Sequence, residues 1–96
     1  MSASSPTRLV NLQGQPLQIV LYMLKTCPFC RRVQDASAAL GLVLQERDLN
    51  ADPEARAELM RVGGRATVPC LFINGQPKYE SSDIITYLQK EVRAAG

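Results

Sequence analysis

The longest unbroken apolar run in the chain, Ile19-Val20-Leu21-Tyr22-Met23-Leu24, is followed almost at once by a helical pattern that opens at Pro28. A continuous run of β-formers reads as a strand covered on both faces. From Pro28 onward Phe29, Val33, Ala36 and Leu40 recur at helical spacing, and Gly41 stands where that helix would stop. A covered strand feeding a helix calls for a second strand parallel to the first, reached by a right-handed crossover. Residues 42–49 supply it and turn polar toward Asn50-Ala51-Asp52-Pro53.

The rest of the chain completes one sheet. Asp52 is placed to cap, and Pro53 to open, a second helix with Ala55, Leu59 and Val62 on its apolar face and Gly63-Gly64 at its end. Residues 68–73 read as a third strand. Asn74-Gly75 is a strong two-residue hairpin signal, so residues 76–80 return antiparallel as the fourth. Ser81 or Ser82 then caps a last helix that turns Ile84, Ile85, Leu88 and Val92 inward. The expected fold is α/β, a four-stranded mixed sheet in β-α-β-α-β-β-α order flanked by helices. Residues 1–17, rich in Ser, Pro, Gln and Gly, read as a flexible N-terminal leader to a single domain at 18–96.

Ninety-six residues suffice for one core. With 46% apolar and 21% charged residues, the composition is that of a folded soluble domain. A net charge of +2, with two Phe, three Tyr and no Trp, gives no basic and aromatic surface for nucleic acid. The apolar run is far shorter than the roughly 20 residues needed to span a bilayer, so no membrane role is expected. The first residues lack the apolar segment of a secretory signal, which makes the cytoplasm the expected location.

Three cysteines, Cys27, Cys30 and Cys70, do not make the even-numbered framework of a disulfide-stapled secreted domain. Cys27 falls between the first strand and the first helix, with Pro28 after it and Lys25 two residues before. Unpaired N–H groups and the helix dipole favour an anion there, so its thiolate is expected to be stabilised. Cys30 lies one turn along the same helix, within reach of a reversible disulfide with Cys27. Cys27 would attack a substrate disulfide and Cys30 would displace the mixed intermediate. Zinc usually takes four Cys or His ligands, and the chain has no His and one further Cys, so no metal is expected. Cys70 either faces the core as a small hydrophobe or approaches the site as an oxidation target.

Lys25-Thr26-Cys27-Pro28-Phe29-Cys30, then Thr67-Val68-Pro69, then a hairpin and a final helix, resemble the dithiol glutaredoxins of the thioredoxin fold. The resemblance runs over about residues 18 to 93. It implies a cis Pro69 beside Cys27 and a glutathione site in which Val68 offers its backbone N–H and C=O, flanked by Thr67. It further implies that Lys25 and Arg56 meet the glycine carboxylate of glutathione, and that Ser81, Ser82 and Asp83 hold the γ-glutamyl carboxylate at the last helix's start. The segment Glu80-Ser81-Ser82-Asp83 departs from the Gly-Gly pair of many glutaredoxins and is similar to the Glu-Ser element of glutathione transferases. No helical domain follows before Gly96, so a stand-alone glutaredoxin is expected, with Phe29 replacing the more frequent tyrosine.

The function implied is a monomeric, glutathione-dependent thiol–disulfide oxidoreductase acting on disulfide-containing and glutathionylated proteins. Arg31, Arg32, Arg61 and Arg65 would at most shape a positive surface around it. An alternative is an iron–sulfur cluster carrier, a dimer that uses Cys27 and glutathione as ligands. A third reading is an interaction module whose cysteines are incidental.

Overall fold

The computed structural model describes residues 8–95 and places the apolar run at the centre of the sheet. Strand β2 (Ile19–Met23) lies between β3 (Gln45–Asp48) and β4 (Cys70–Ile73), and β5 (Gln76–Tyr79) closes the far edge, in the order β3-β2-β4-β5. β2 and β3 run parallel, Val20 opposite Gln45, joined through helix α1 (Pro28–Ala39). β4 pairs antiparallel with both neighbours, placing Tyr22 and Tyr79 on either side of Cys70. The hairpin turns at Asn74-Gly75, both at positive φ, the conformation an Asn-Gly pair adopts most readily.

Alternation along the strands sends side chains into two layers. On one face Leu21, Met23 and Leu71 pack with Cys30 and Val33 of α1 and with Ile84 and Leu88 of helix α3 (Ser81–Glu91). On the other Tyr22, Cys70 and Phe72 pack with Ala55 and Leu59 of helix α2 (Pro53–Gly63). Under this second layer Arg47 bridges Asp52, at 2.9 Å, and Glu58, and the Tyr22 hydroxyl donates to Glu58 at 3.0 Å. Asp52 also caps α2, accepting the Glu54 and Ala55 N–H groups.

Several expectations are corrected. The leader was placed at 1–17, yet Arg8–Val10 forms strand β1, antiparallel to β6 (Arg93–Ala95), and Leu9 is buried in the first core layer. A turn in which the Asn11 side chain accepts the Gln13 and Gln15 N–H groups returns the chain toward β2, so polar composition here encodes a turn. Residues 1–7 lie outside the described residues.

The buried face of α1 is Cys30, Val33 and Ser37, one step round from the face expected, and Phe29 and Leu40 are exposed. Ser37 can be buried because its hydroxyl donates to the Gln34 carbonyl at 2.9 Å. In α2, Ala55 and Leu59 face inward as expected, but Val62 is exposed. The last turn instead brings Gly63 against the Tyr79 hydroxyl. Neither Ser81 nor Ser82 caps α3. Glu80 holds the cap position at φ +73 with no side-chain bond, and Ser81 is already helical.

Candidate active site

β2 ends at Met23, and the chain passes over the end of the sheet to Cys27, the cap residue of α1, with Pro28 in the first helical turn. The Cys27 N–H donates to the Leu24 carbonyl at 3.1 Å, which fixes the entry to the helix. Its Sγ accepts the Cys30 N–H at 3.2 Å, one of the donors a helix leaves unpaired in its first turn. The sulfur therefore sits at the positive end of the helix dipole, half-buried.

Cys30 has a different environment. It is fully buried, among side chains of β2, α1 and α3. Burial, followed by the hydrogen bond its S–H donates to Cys27, pushes its thiol up to about 12. Cys27 is thus partly open, and burial holds the Cys30 thiol protonated.

The segment between α2 and β4 forms the second side of the site. Gly64, in the left-handed conformation at φ +81, ends α2 by donating to the Met60 carbonyl. The chain then runs without regular structure to the Val68–Pro69 bond, which is cis as the resemblance implied. The Val68 carbonyl oxygen lies 4.0 Å from Cys27 Sγ, and Val68 packs against both core layers. Pro69 is buried behind it and Thr67 is exposed in front.

The other expected residues are placed less closely. Lys25 is exposed between β2 and Cys27. Arg56 is exposed in the first half of α2, and among the described residues no ion pair engages it or Lys25. Ser81, Ser82 and Asp83 form the first turn of α3, with Ser81 half-buried and the other two exposed. α3 packs against α1 and the hairpin, but no hydrogen bond among the described residues links this turn to Cys27.

Cys70 resolves to the core. It is fully buried in the α2 layer, and burial pushes its thiol up to about 11. Gly63, which reads in sequence with Gly64 only as a helix end, lies against the Tyr79 hydroxyl. A groove of about 720 Å³ is lined by β1, β2 and the residues leading into β3, at the other end of β2 from Cys27. Thiol geometry locates the chemistry here, because a dithiol centre needs an accessible sulfur and not an enclosed chamber.

Comparison with known proteins establishes the family. The glutaredoxin family profile matches residues 19–77, more than half of the chain. Glutaredoxin 3 of Escherichia coli K12 is 33% identical over 58 residues, covering 60% of this chain and 70% of that protein. A wheat glutaredoxin structure superposes with a TM-score of 0.62 at 28% identity, over 75% of this chain and 71% of its own. A rice glutathione transferase, solved in complex with glutathione, superposes at 0.64 and 29% identity over 76% of this chain and 32% of its own. The chain belongs to the glutaredoxin family, the glutathione-dependent thiol–disulfide oxidoreductases of the thioredoxin fold.

Proposed function

We propose that this protein reduces glutathione mixed disulfides through Cys27 alone and protein disulfides through Cys27 and Cys30 together. The observation that carries this reading is the division of labour between the two thiols: Cys27 Sγ accepts a helix N–H and is partly open, while Cys30 is buried and held protonated.

On a mixed disulfide, the Cys27 thiolate attacks the glutathione sulfur. A bond forms between Cys27 and glutathione, the bond to the protein sulfur breaks, and that protein leaves as a thiolate. A second glutathione thiolate then attacks the glutathione sulfur on Cys27, releasing oxidised glutathione and restoring the Cys27 thiolate. On a protein disulfide, the Cys27 thiolate attacks one sulfur, forming a mixed disulfide while the other sulfur leaves as a thiolate; Cys30 then gives its proton to that thiolate and attacks Cys27 Sγ, so the Cys27–Cys30 bond forms and the second protein sulfur leaves. Two glutathiones then reduce the Cys27–Cys30 disulfide. The Cys30 proton is retained until the step that needs it, so Cys27 is the first nucleophile.

Glutathione would lie along Thr67-Val68-Pro69, pairing its backbone with Val68 as an added strand. Support comes from the Val68 carbonyl at 4.0 Å from Cys27 Sγ, which puts a ligand on that edge within reach of the sulfur. Lys25 and Arg56 would meet its glycine carboxylate. Ser81, Ser82 and Asp83 would receive the γ-glutamyl end at the positive end of α3.

The test is reduction of a small glutathione mixed disulfide, with glutathione reductase and NADPH reporting the oxidised glutathione formed. The parent and Cys30→Ser are expected to be active and Cys27→Ser inactive. An inactive parent, or activity surviving in Cys27→Ser, would refute the reading.

A further inference from the structure

Tyr79 belongs to strand β5, on the sheet edge, yet it is tied to the segment that carries Thr67 and Val68. Its hydroxyl donates to the Arg65 carbonyl at 3.0 Å. The Arg65 guanidinium lies over its ring, 4.0 Å from the centroid. Its Cα is the register partner of Cys70, the residue after Pro69. Tyr79 thus holds both ends of the Arg65–Cys70 stretch, one through the sheet and one through its hydroxyl. Among the described residues, the only other side-chain hydrogen bond reaching residues 65–69 is the long contact from Cys27 Sγ to Val68.

Gly63 makes this arrangement possible. A Cβ at that position would stand 2.0 Å from the Tyr79 hydroxyl oxygen and 3.1 Å from Cζ. Gly63 does not have the positive φ of Gly64, so its backbone would accept alanine; what it lacks is room for a side chain. The hydroxyl occupies the space that the missing side chain leaves.

We infer that Tyr79, seated against Gly63, is a positioning residue for glutathione: its hydroxyl clamps the Arg65 carbonyl and so holds the Thr67–Val68 backbone in register for pairing with the tripeptide. The inference rests on the glutathione reading above. Tyr79 touches neither Cys27 nor the reacting sulfurs in this arrangement, so its loss should act on binding.

The experiment is a double-mutant cycle of Tyr79→Phe and Gly63→Ala in the same mixed-disulfide assay. Tyr79→Phe keeps the ring and the Arg65 stack and removes the hydroxyl, with its bond to the Arg65 carbonyl and its contact with the Cys70 thiol. It should raise the KM for the glutathione mixed disulfide by about two- to tenfold, the range a single hydrogen bond covers, with kcat little changed. Gly63→Ala should expel the hydroxyl and raise KM similarly. In the Tyr79→Phe background Gly63→Ala should add little, because the atom it displaces is gone. Alkylation of Cys27 by iodoacetamide should keep the parent rate in all variants, since the thiol is not altered.

An active parent whose Tyr79→Phe variant keeps the parent KM would overturn the inference and leave the glutathione reading standing. So would KM effects of the two substitutions that simply multiply, or a Tyr79→Phe variant that loses thermal stability at unchanged KM. An inactive parent would overturn both.

Discussion

Alkylation of the native protein with iodoacetamide at pH 8, mapped by mass spectrometry, should modify Cys27 and leave Cys30 and Cys70 intact over the same period. The thiolate is the reacting species, so the ionised fraction sets the rate once a sulfur is reached. Cys30 is pushed up to about 12 and Cys70 to about 11, burial being the first cause for both. At pH 8 about one Cys30 in ten thousand and about one Cys70 in a thousand are therefore ionised, against roughly a quarter of an unperturbed thiol of pKa about 8.5. Ionisation alone makes Cys30 slower than a free thiol by roughly 2,000-fold and Cys70 by roughly 200-fold. Both side chains are at 0% exposure, so the reagent must also wait for the structure to open. Modifying Cys27 converts it to a neutral thioether and weakens its contribution to the Cys30 shift, but burial, the larger cause, remains. Raising the pH from 8 to 9 should accelerate any residual Cys30 reaction about tenfold. Modification of Cys30 before Cys27, or at a comparable rate, would refute the division of roles between the two thiols.

Three stability measurements check the layers that hold the site. Leu59→Ala, at a fully buried position, should cost about 2–5 kcal/mol in urea unfolding, whereas Val62→Ala, on the exposed side of the same helix, should stay within about 0.5 kcal/mol; equal costs would contradict the orientation of α2. Leu9→Ala should cost about 2 kcal/mol or more if β1 seals the first core layer, and a loss below about 0.5 kcal/mol would return this segment to the status of a leader. The Tyr22 hydroxyl and Arg47 hold the Glu58 carboxyl below its ordinary value. Its contribution to stability is therefore present above the unfolded carboxylate pKa and lost as pH falls through the folded one. The Tm advantage of the parent over Glu58→Gln should shrink from pH 7 toward pH 3, and a gap that stays constant would exclude this linkage.

The fold and the placement of Cys27 and Cys30 were legible because their signals are local. The apolar run, the Pro28 start, the Asp52-Pro53 entry and the Asn74-Gly75 turn each act over a few residues, and all four elements stand where those signals put them. The cis bond at Pro69 and its place beside Cys27 came from the resemblance, since no periodicity encodes them. What was missed depends on distant partners. Leu9 reads as part of a polar leader until β6, at the other end of the chain, supplies its pairing. The buried stripe of α1 is set by what packs on it from β2 and α3, which takes in Cys30 and Val33 and leaves Phe29 exposed. Gly63-Gly64 reads as one stop signal, although only Gly64 needs the left-handed conformation and Gly63 is required by a tyrosine sixteen residues later in sequence.

In the proposed dithiol reaction, the position of Cys70 decides which thiol could resolve the intermediate. Along β4 successive side chains alternate between layers, so Leu71 joins Cys30 on the α1 and α3 side while Cys70 and Phe72 join the α2 side. Cys27 packs on the α1 side as well. A disulfide requires Cβ atoms within about 4.5 Å, and the sheet itself stands between Cys27 and Cys70. Sequence proximity to Pro69 brings the Cys70 backbone toward the site while alternation sends its sulfur away from it. Cys30, one helical turn from Cys27 and in the same layer, is the one other thiol that can close onto it without moving the sheet. The same placement separates the third cysteine from the other two: Cys27 and Cys30 share one layer, and the sheet lies between them and the Cys70 sulfur.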